Sequence, residues 1–469
     1  MHGWSTAKRT KVVGTIGPAS ARPEILEAMI AAGLDVARLN FSHGTREAHA
    51  KTAKLVREIS ARAGRPVAVL GDLAGPRIRV GRMAEGTVLV PGSVVAITGR
   101  DAVGDAATIP VSHAGLARDV SAGDAILLAD GSVELRVEAR REDGLACRVL
   151  VGGPLSSHKG VNVPARALSL PSLSDQDRED LRFAVASDFD LVAQSFVDSP
   201  EDVEAARTVM RDAGHVLPIV AKIERQGALD RLEAILAAAD GAMVARGDLG
   251  VEIPLAKVPE VQKRIIRLAN ALAKPVITAT QMLESMVESP RPTRAEAADV
   301  YNAILDGTDA VMLSEESAVG RHPVEAVQTL VAIAREAEGA LAPRAADPGP
   351  GGDVKDAVAG AAVDVARSLG AAAILTPTST GRTPRAIARH RPAPPIVALC
   401  PEPRVARALA LVWGVVPVAV EGSLDLDGVV ARARDLVRAE GVPAGARIVM
   451  TMGYPGGEGR TNMVLVVEP

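Results

Sequence analysis

Eight short apolar runs rich in β-branched residues recur between stretches dominated by Ala, Leu, Glu and Arg: Val12–Ile16, Val36–Phe41, Pro66–Leu70, Asp190–Val197, Pro218–Ile223, Gly241–Ala245, Pro275–Ala279 and Asp309–Leu313. Runs of this length read as strands, and the stretches between them have helical composition. Parallel strands need a long crossover connection, and a helix is the usual one, so the alternation predicts βα units on a parallel sheet. Eight such units are the number that closes into a (β/α)8 TIM barrel. A doubly wound α/β sheet fits the same pattern, and the two are separated by where the polar residues fall.

One connection breaks the rhythm. Residues 72–170 are rich in Val and Gly and carry alternating segments such as Ala125–Val137, with Asp130-Gly131 as a hairpin signal. This stretch reads as a small all-β domain inserted after the third strand. Barrel βα loops open on the catalytic face, so an insertion there is placed to act as a lid. The last helix of the repeat ends near Leu341, and Ala342–Gly352 is a linker by its Pro/Gly composition. Strand-like runs then resume at Ala373–Thr376, Pro395–Leu399, Val415–Val420, Arg447–Met452 and Asn462–Val467. The expected division is a barrel from 1–71 and 171–341, a lid from 72–170, and a C-terminal α/β domain from 353–469.

Composition excludes more than it identifies. At 469 residues the chain exceeds a single core. A net charge of −4 offers no basic face for nucleic acid or an anionic membrane, and no apolar run is long enough to span a bilayer. The start of the chain, Met1–Thr10, lacks the apolar core of a signal peptide. The two cysteines, Cys147 and Cys400, have neither metal-ligand spacing nor a near partner, which fits a reducing cytoplasm.

Polar side chains cluster where the strands end: Arg38, Asn40, Ser42 and His43 after the second, Asp72 after the third, and Lys222 and Glu224 at the fifth. Arg246, Gly247 and Asp248 follow the sixth, Thr280 and Gln281 the seventh, and Ser314 and Glu316 the eighth. Barrel enzymes assemble their sites from those ends, which favours the barrel. Each group also has a structural reading. Lys222 and Glu224 share one face of a strand and could form an internal salt bridge, and Asp248 could cap a helix. Taken together, two acids, a lysine and neutral donors suit one purpose. Glu224 and Asp248 offer hard oxygen ligands for Mg²⁺, and Lys222 beside them would stabilise an enolate or a phosphoryl group in transfer. A helix start at Gly247-Asp248 offers N–H groups to a substrate carboxylate.

At these residues the chain resembles the pyruvate kinase family. The matching stretches are Arg9–Ser20, Ala37–Gly44, Lys159–Pro164, Val220–Glu224, Met243–Val251, Thr278–Ser285 and Pro290–Glu296, spread over nearly the whole length. The resemblance implies transfer of the phosphoryl group of phosphoenolpyruvate to ADP, giving pyruvate and ATP, with Mg²⁺ or Mn²⁺ held by Glu224 and Asp248. It implies that Lys222 neutralises the phosphoryl group and the enolate, and that Arg38 grips the substrate phosphate. Arg246, Gly247, Asp248 and Thr280 would complete the substrate pocket. Thr280 would stand at the proton-donating face, with Ser314 and Glu316 in the same relay. Asn40, His43, Arg79, Asp130 and Lys159 would face the nucleotide.

The segment Asp72–Arg79 departs from the commoner family pattern by carrying Leu73 and Arg77. Members requiring K⁺ bind it with the counterparts of Asn40, Ser42 and Asp72; Leu with a basic residue resembles the members that do not require it. The Arg77 guanidinium is expected to supply the charge in place of K⁺. Two smaller departures, Arg225 and Glu315, remove no ligand. In the C-terminal region, Thr378, Ser379, Thr380, Gly381, Arg382 and Thr383 precede a helix with Pro384 in its first turn, and hydroxyls with free N–H groups favour phosphate. The resemblance makes this an effector loop for a phosphorylated metabolite, with Gly453–Arg460 as a second loop, and makes a homotetramer the expected assembly. A metal-dependent barrel lyase acting on a pyruvate enolate shares the carboxylate pair but needs neither lid nor nucleotide contacts. A non-catalytic sensor would not need Lys222.

Overall fold

The computed structural model describes residues 8–164, 169, 171–341, 353–421, 426–443, 445–453 and 461–468. The linker at Ala342–Gly352 and most of the second effector loop, residues 454–460, lie outside them.

Eight parallel strands close into a barrel: Lys11–Thr15, Val36–Asn40, Ala68–Asp72, Leu191–Gln194, Ile219–Ile223, Gly241–Ala245, Val276–Ala279 and Ala310–Leu313. They coincide with the eight apolar runs to within a few residues. Their near-continuous burial follows from covering on both faces, by helices outside and packed side chains inside. The helices carry local start signals. Ser174 and Thr293 form capping boxes with Asp177 and Glu296, whose carboxylates accept hydrogen bonds from the cap N–H groups.

Between the third and fourth strands, a seven-stranded sheet runs from Ile78–Arg79 at one edge to Thr108–Pro110 at the other, with its own apolar core around Ile97, Leu135 and Val149. The Asp130-Gly131 hairpin is present: Ala125–Leu128 pairs antiparallel with Val133–Arg141. The C-terminal residues form a five-stranded sheet, Val415–Ala419, Ile396–Cys400, Ala373–Pro377 and Ile448–Met452 in parallel, with Met463–Val467 antiparallel at its edge.

The C-terminal sheet and the barrel are joined through the barrel floor. Ala408, Ala410 and Leu411, on the chain leaving the helix Pro403–Ala408, are buried in one cluster with inward side chains Val13, Leu70, Val220, Met243, Ile277 and Met312. The floor is thereby closed by apolar side chains, and the polar residues collect at the other mouth. Arg391 adds a buried ion pair to this junction, 3.0 Å from Asp309. Among the described residues no helix is long and apolar enough to cross a membrane.

Candidate active site

Lys222 is the last-but-one residue of the fifth strand and Glu224 follows it, so the two-residue period of a strand turns both side chains inward. Both are buried. The Lys222 ammonium donates to Ser195 Oγ at 2.6 Å and lies 3.5 Å from Asp72 Oδ1 and 3.4 Å from Glu224 Oε2. Those two carboxylate oxygens are buried and accept no hydrogen bond. The other oxygen of each is committed: Asp72 Oδ2 accepts from Arg38 Nε at 2.6 Å, and Glu224 Oε1 from the Phe196 N–H at 2.7 Å. Arg38 also donates to Thr15 Oγ1 at 2.8 Å, which fixes its guanidinium across the first and second strands.

Burial and charge oppose one another here. Burial alone would raise Asp72, but Lys222 and Arg38 hold its carboxyl below the ordinary range. Burial pulls Lys222 down, yet Asp72 and Glu224 together keep it above its usual value. Glu224 goes the other way: burial, with Asp248 adding, outweighs Lys222 and pushes it up to about 7. Glu224 is held up despite the Lys222 ammonium 3.4 Å from its Oε2, an oxygen that accepts no hydrogen bond, and a divalent cation would add the positive charge that burial leaves wanting.

Asp248 lies in the short helix Arg246–Glu252 that follows the sixth strand. Its carboxylate takes the Arg77 guanidinium at 3.1 and 3.3 Å, and the same guanidinium lies over the Phe196 ring, 5.3 Å from its centre. The basic residue on the segment leading into the inserted sheet therefore reaches the acid cluster. Three cations (Arg38, Arg77, Lys222) meet three carboxylates (Asp72, Glu224, Asp248). Among the described residues no three His, Cys, Asp or Glu side chains converge as a metal cage. A Glu224–Asp248 pair suits a cation that keeps water and substrate oxygens, as Mg²⁺ does.

Thr280 and Gln281 occupy the left-handed region, at φ 72° and 54°, a strained setting for a β-branched residue. Arg246 holds the turn, donating to Thr280 O at 2.7 Å while its other nitrogen pairs with Asp299 at 2.7 Å. That guanidinium is a brace for the seventh strand end. Thr280 Oγ1 accepts the Gly247 N–H at 2.9 Å, so this main-chain donor points at the Thr280 side chain. Glu316 is fully buried and ties two loops together, accepting from the Leu283 N–H at 3.0 Å and the Ser314 N–H at 2.7 Å. Asn40 stands in register with Asp72, its Oδ1 accepting the Ser42 N–H, and His43 is exposed beside it.

Arg79, Asp130 and Lys159 form a separate group on one edge of the inserted sheet. Arg79 pairs in register with Gly160, and the Ala129 N–H bonds Gly160 O at 3.0 Å. All three side chains are exposed. The structure thus brings Arg38, Asp72, Lys222, Glu224, Asp248 and Thr280 to one mouth and keeps the three residues of the inserted sheet as a second surface, connected to it by Arg77.

The loop at Thr378–Thr383 lies in the C-terminal sheet region. Thr378 and Thr383 are buried, with Thr378 Oγ1 accepting the Gly381 N–H at 2.8 Å and Thr383 Oγ1 meeting Thr461 Oγ1 at 2.6 Å, while Ser379 and Arg382 are exposed.

Two residues escaped the sequence reading: Ser195 and Phe196, beyond the end of the fourth strand. The run Asp190–Val197 reads as one apolar strand, but the strand stops at Gln194 and Phe196 turns into the left-handed region at φ 56°. The available signal was Gln194-Ser195, two polar residues inside an apolar run.

Comparison with known proteins agrees with this geometry. The family model described as pyruvate kinase, barrel domain, matches residues 7–327, and that described as pyruvate kinase, alpha/beta domain, matches residues 356–467. The chain is 43% identical to the pyruvate kinase of Clostridium acetobutylicum over 98% of this chain and 99% of that one. It is 45% identical to that of Geobacillus stearothermophilus over 98% of this chain and 80% of the relative. It is 43% identical to that of Mycobacterium tuberculosis over 98% of both. With full-length matches on this scale and a barrel mouth built from the residues described, the chain belongs to the pyruvate kinase family.

Proposed function

We propose that this chain moves the phosphoryl group of phosphoenolpyruvate to ADP and releases pyruvate, the last step of glycolysis. The observation that carries this reading is the Lys222 ammonium set between two buried carboxylate oxygens that accept no hydrogen bond. Arg38, preset by Asp72 and Thr15, presents its remaining donors to the substrate phosphate. The bond from phosphorus to the enol oxygen breaks, a bond to a β-phosphate oxygen of ADP forms, and charge left on the enol oxygen falls to Lys222. Thr280 stands at the opposite face and orients the water that protonates the methylene carbon. Arg246, Ser314 and Glu316 brace that face rather than touch the substrate. Held at Glu224 and Asp248, Mg²⁺ or Mn²⁺ would supply Lewis-acid stabilisation of the same charge. Closure of the inserted sheet would bring Arg79, Asp130 and Lys159, with Asn40 and His43, to the nucleotide and exclude water. The decisive assay is pyruvate formation from phosphoenolpyruvate and Mg²⁺ with and without ADP. Turnover is expected only with ADP; ADP-independent turnover, or none, would refute the assignment.

Arg77 takes the role of a monovalent cation in this reading. Its guanidinium already lies in the field of Asp248, Glu224 and Asp72, so a fixed charge stands near the Asn40, Ser42 and Asp72 group that would otherwise hold K⁺. Leu73 at the neighbouring position is buried and offers no side-chain oxygen. Initial rates at constant ionic strength are expected to change less than about twofold when K⁺ replaces a bulky organic cation; strong activation would assign Arg77 to the lid hinge alone.

The exposed Ser379 and Arg382, with Thr380 between them, give the C-terminal loop donors for a phosphorylated effector, with Thr378, Gly381 and Thr383 shaping it. In this reading residues 1–71 with 171–341 are the catalytic barrel, 72–170 the lid and 353–469 the regulatory domain, working as a homotetramer in the cytoplasm. The unpaired, buried thiols of Cys147 and Cys400 fit a reducing compartment.

A further inference from the structure

The reaction needs the Lys222 ammonium at one point in space, yet its two carboxylate neighbours stand at 3.4 and 3.5 Å, too long and too loosely aimed to fix a flexible four-carbon stem. The short contact is to Ser195 Oγ, at 2.6 Å. Ser195 is buried, and its own hydroxyl proton is committed to Leu73 O at 2.8 Å. With that proton engaged, the Ser195 oxygen presents its lone pairs to Lys222 and acts as an acceptor. Leu73 is held in turn, its N–H bonding Ala193 O at 3.0 Å.

The turn carrying Ser195 does more than hold the lysine. The Phe196 N–H fixes Glu224 Oε1, and the Phe196 ring carries Arg77. Gly75, at φ 74° in the segment leading to the lid, seats on this turn: a Cβ there would fall 2.8 Å from Ser195 Cβ and 2.5 Å from the Phe196 ring. The end of the fourth strand thereby holds the lysine, a carboxylate of the metal pair and the lid segment together.

We infer that Ser195 is a positioning residue for phosphoryl transfer: its hydroxyl fixes the Lys222 ammonium and ties it to the main chain at Leu73, where the lid segment begins. This rests on the role given to Lys222 above. Misplacing a catalytic group by about 1 Å costs on the order of 10²-fold in rate, and a displaced ammonium affects the charge of the transition state more than the binding of substrate.

The test compares the parent, Ser195→Ala and Ser195→Thr in the pyruvate assay, with KM for phosphoenolpyruvate and melting temperature measured on each. Ser195→Ala is expected to lower kcat by about 10- to 100-fold while KM changes less than about threefold, and Ser195→Thr, which keeps the hydroxyl, to recover most of the rate. A parent active on phosphoenolpyruvate with Ser195→Ala within twofold of it would overturn the inference. So would equal loss in both variants, or equal collapse of both melting temperatures, because packing alone would then explain the effect. An inactive parent would instead refute the function itself, so the two failures are distinguishable.

Discussion

Replacing Lys222 by Met should lower kcat by at least about 10³-fold while strengthening Mg²⁺ binding. Both effects follow from one count of charge. Three cations face three carboxylates at the barrel mouth, and Met removes one cation while keeping an unbranched side chain only one atom shorter. Single donors aimed at developing oxyanion charge are worth about 10²–10³ in kcat, and cationic groups on a phosphoryl in flight about 10³–10⁵. The same loss leaves Asp72 Oδ1 and Glu224 Oε2 without their neighbouring positive charge, so a divalent cation gains where the catalyst fails. Titration calorimetry with Mg²⁺ alone reads the second effect independently of turnover. A variant within tenfold of the parent rate, or one that binds Mg²⁺ more weakly, would show that Lys222 serves the fold as an internal salt bridge.

That alternative was open from the strand pattern, and it shows where sequence legibility stops. The eight strands were readable because their burial is nearly complete, so each leaves a mostly apolar run between helical stretches, with polar residues gathered toward its C-terminal end. The C-terminal strands and the Asp130-Gly131 hairpin were readable for the same local reasons. The acids and the lysine were readable as polar strand ends. What no local signal reports is which partner each one takes. Arg246 ends the sixth strand like a substrate ligand, but Asp299 and the Thr280 carbonyl claim it. Glu316 reads as a relay acid, and the sequence does not show that its buried carboxylate also accepts two main-chain N–H groups, from Leu283 and Ser314. Ser195 was hidden because the strand ends earlier than its apolar run, at a left-handed turn that Phe196, unlike glycine, does not advertise. Contacts between residues far apart in the chain decide these roles, and composition does not encode them.

Arg391 is the extreme case, and substituting it should be the most destabilising change at the junction of barrel and C-terminal sheet. In sequence it is one more basic residue in an Ala/Arg helix tail. In the structure it is buried, paired with both oxygens of Asp309 at 3.0 and 3.2 Å, bonded to Asn270 Oδ1 at 2.8 Å and to Gly307 O, and stacked on Trp413 at 4.9 Å. Asp309 in turn accepts the Val276 and Trp413 N–H groups, so the pair links the floor of two barrel strands to the C-terminal sheet. Arg391→Ala would leave Asp309 buried without its ion-pair partner, which costs about 3–5 kcal/mol, with lost packing on Trp413 added. For units of this size that corresponds to a fall of roughly 6–20 °C in the first melting transition. Because several cores share the chain, the transition is followed by calorimetry with the barrel and C-terminal unfolding resolved. The double variant Arg391→Met with Asp309→Asn distinguishes charge from shape: the two N–H groups reach different oxygens of Asp309, so Asn keeps an acceptor for only one of them, yet removing both charges together should still recover part of the loss. A single variant that melts within about 2 °C of the parent would mean that the apolar plug of Ala408, Ala410 and Leu411 holds the floor unaided. The expected result gives the buried pair the larger share, because the plug can be dry and well packed only while the charge above it is neutralised.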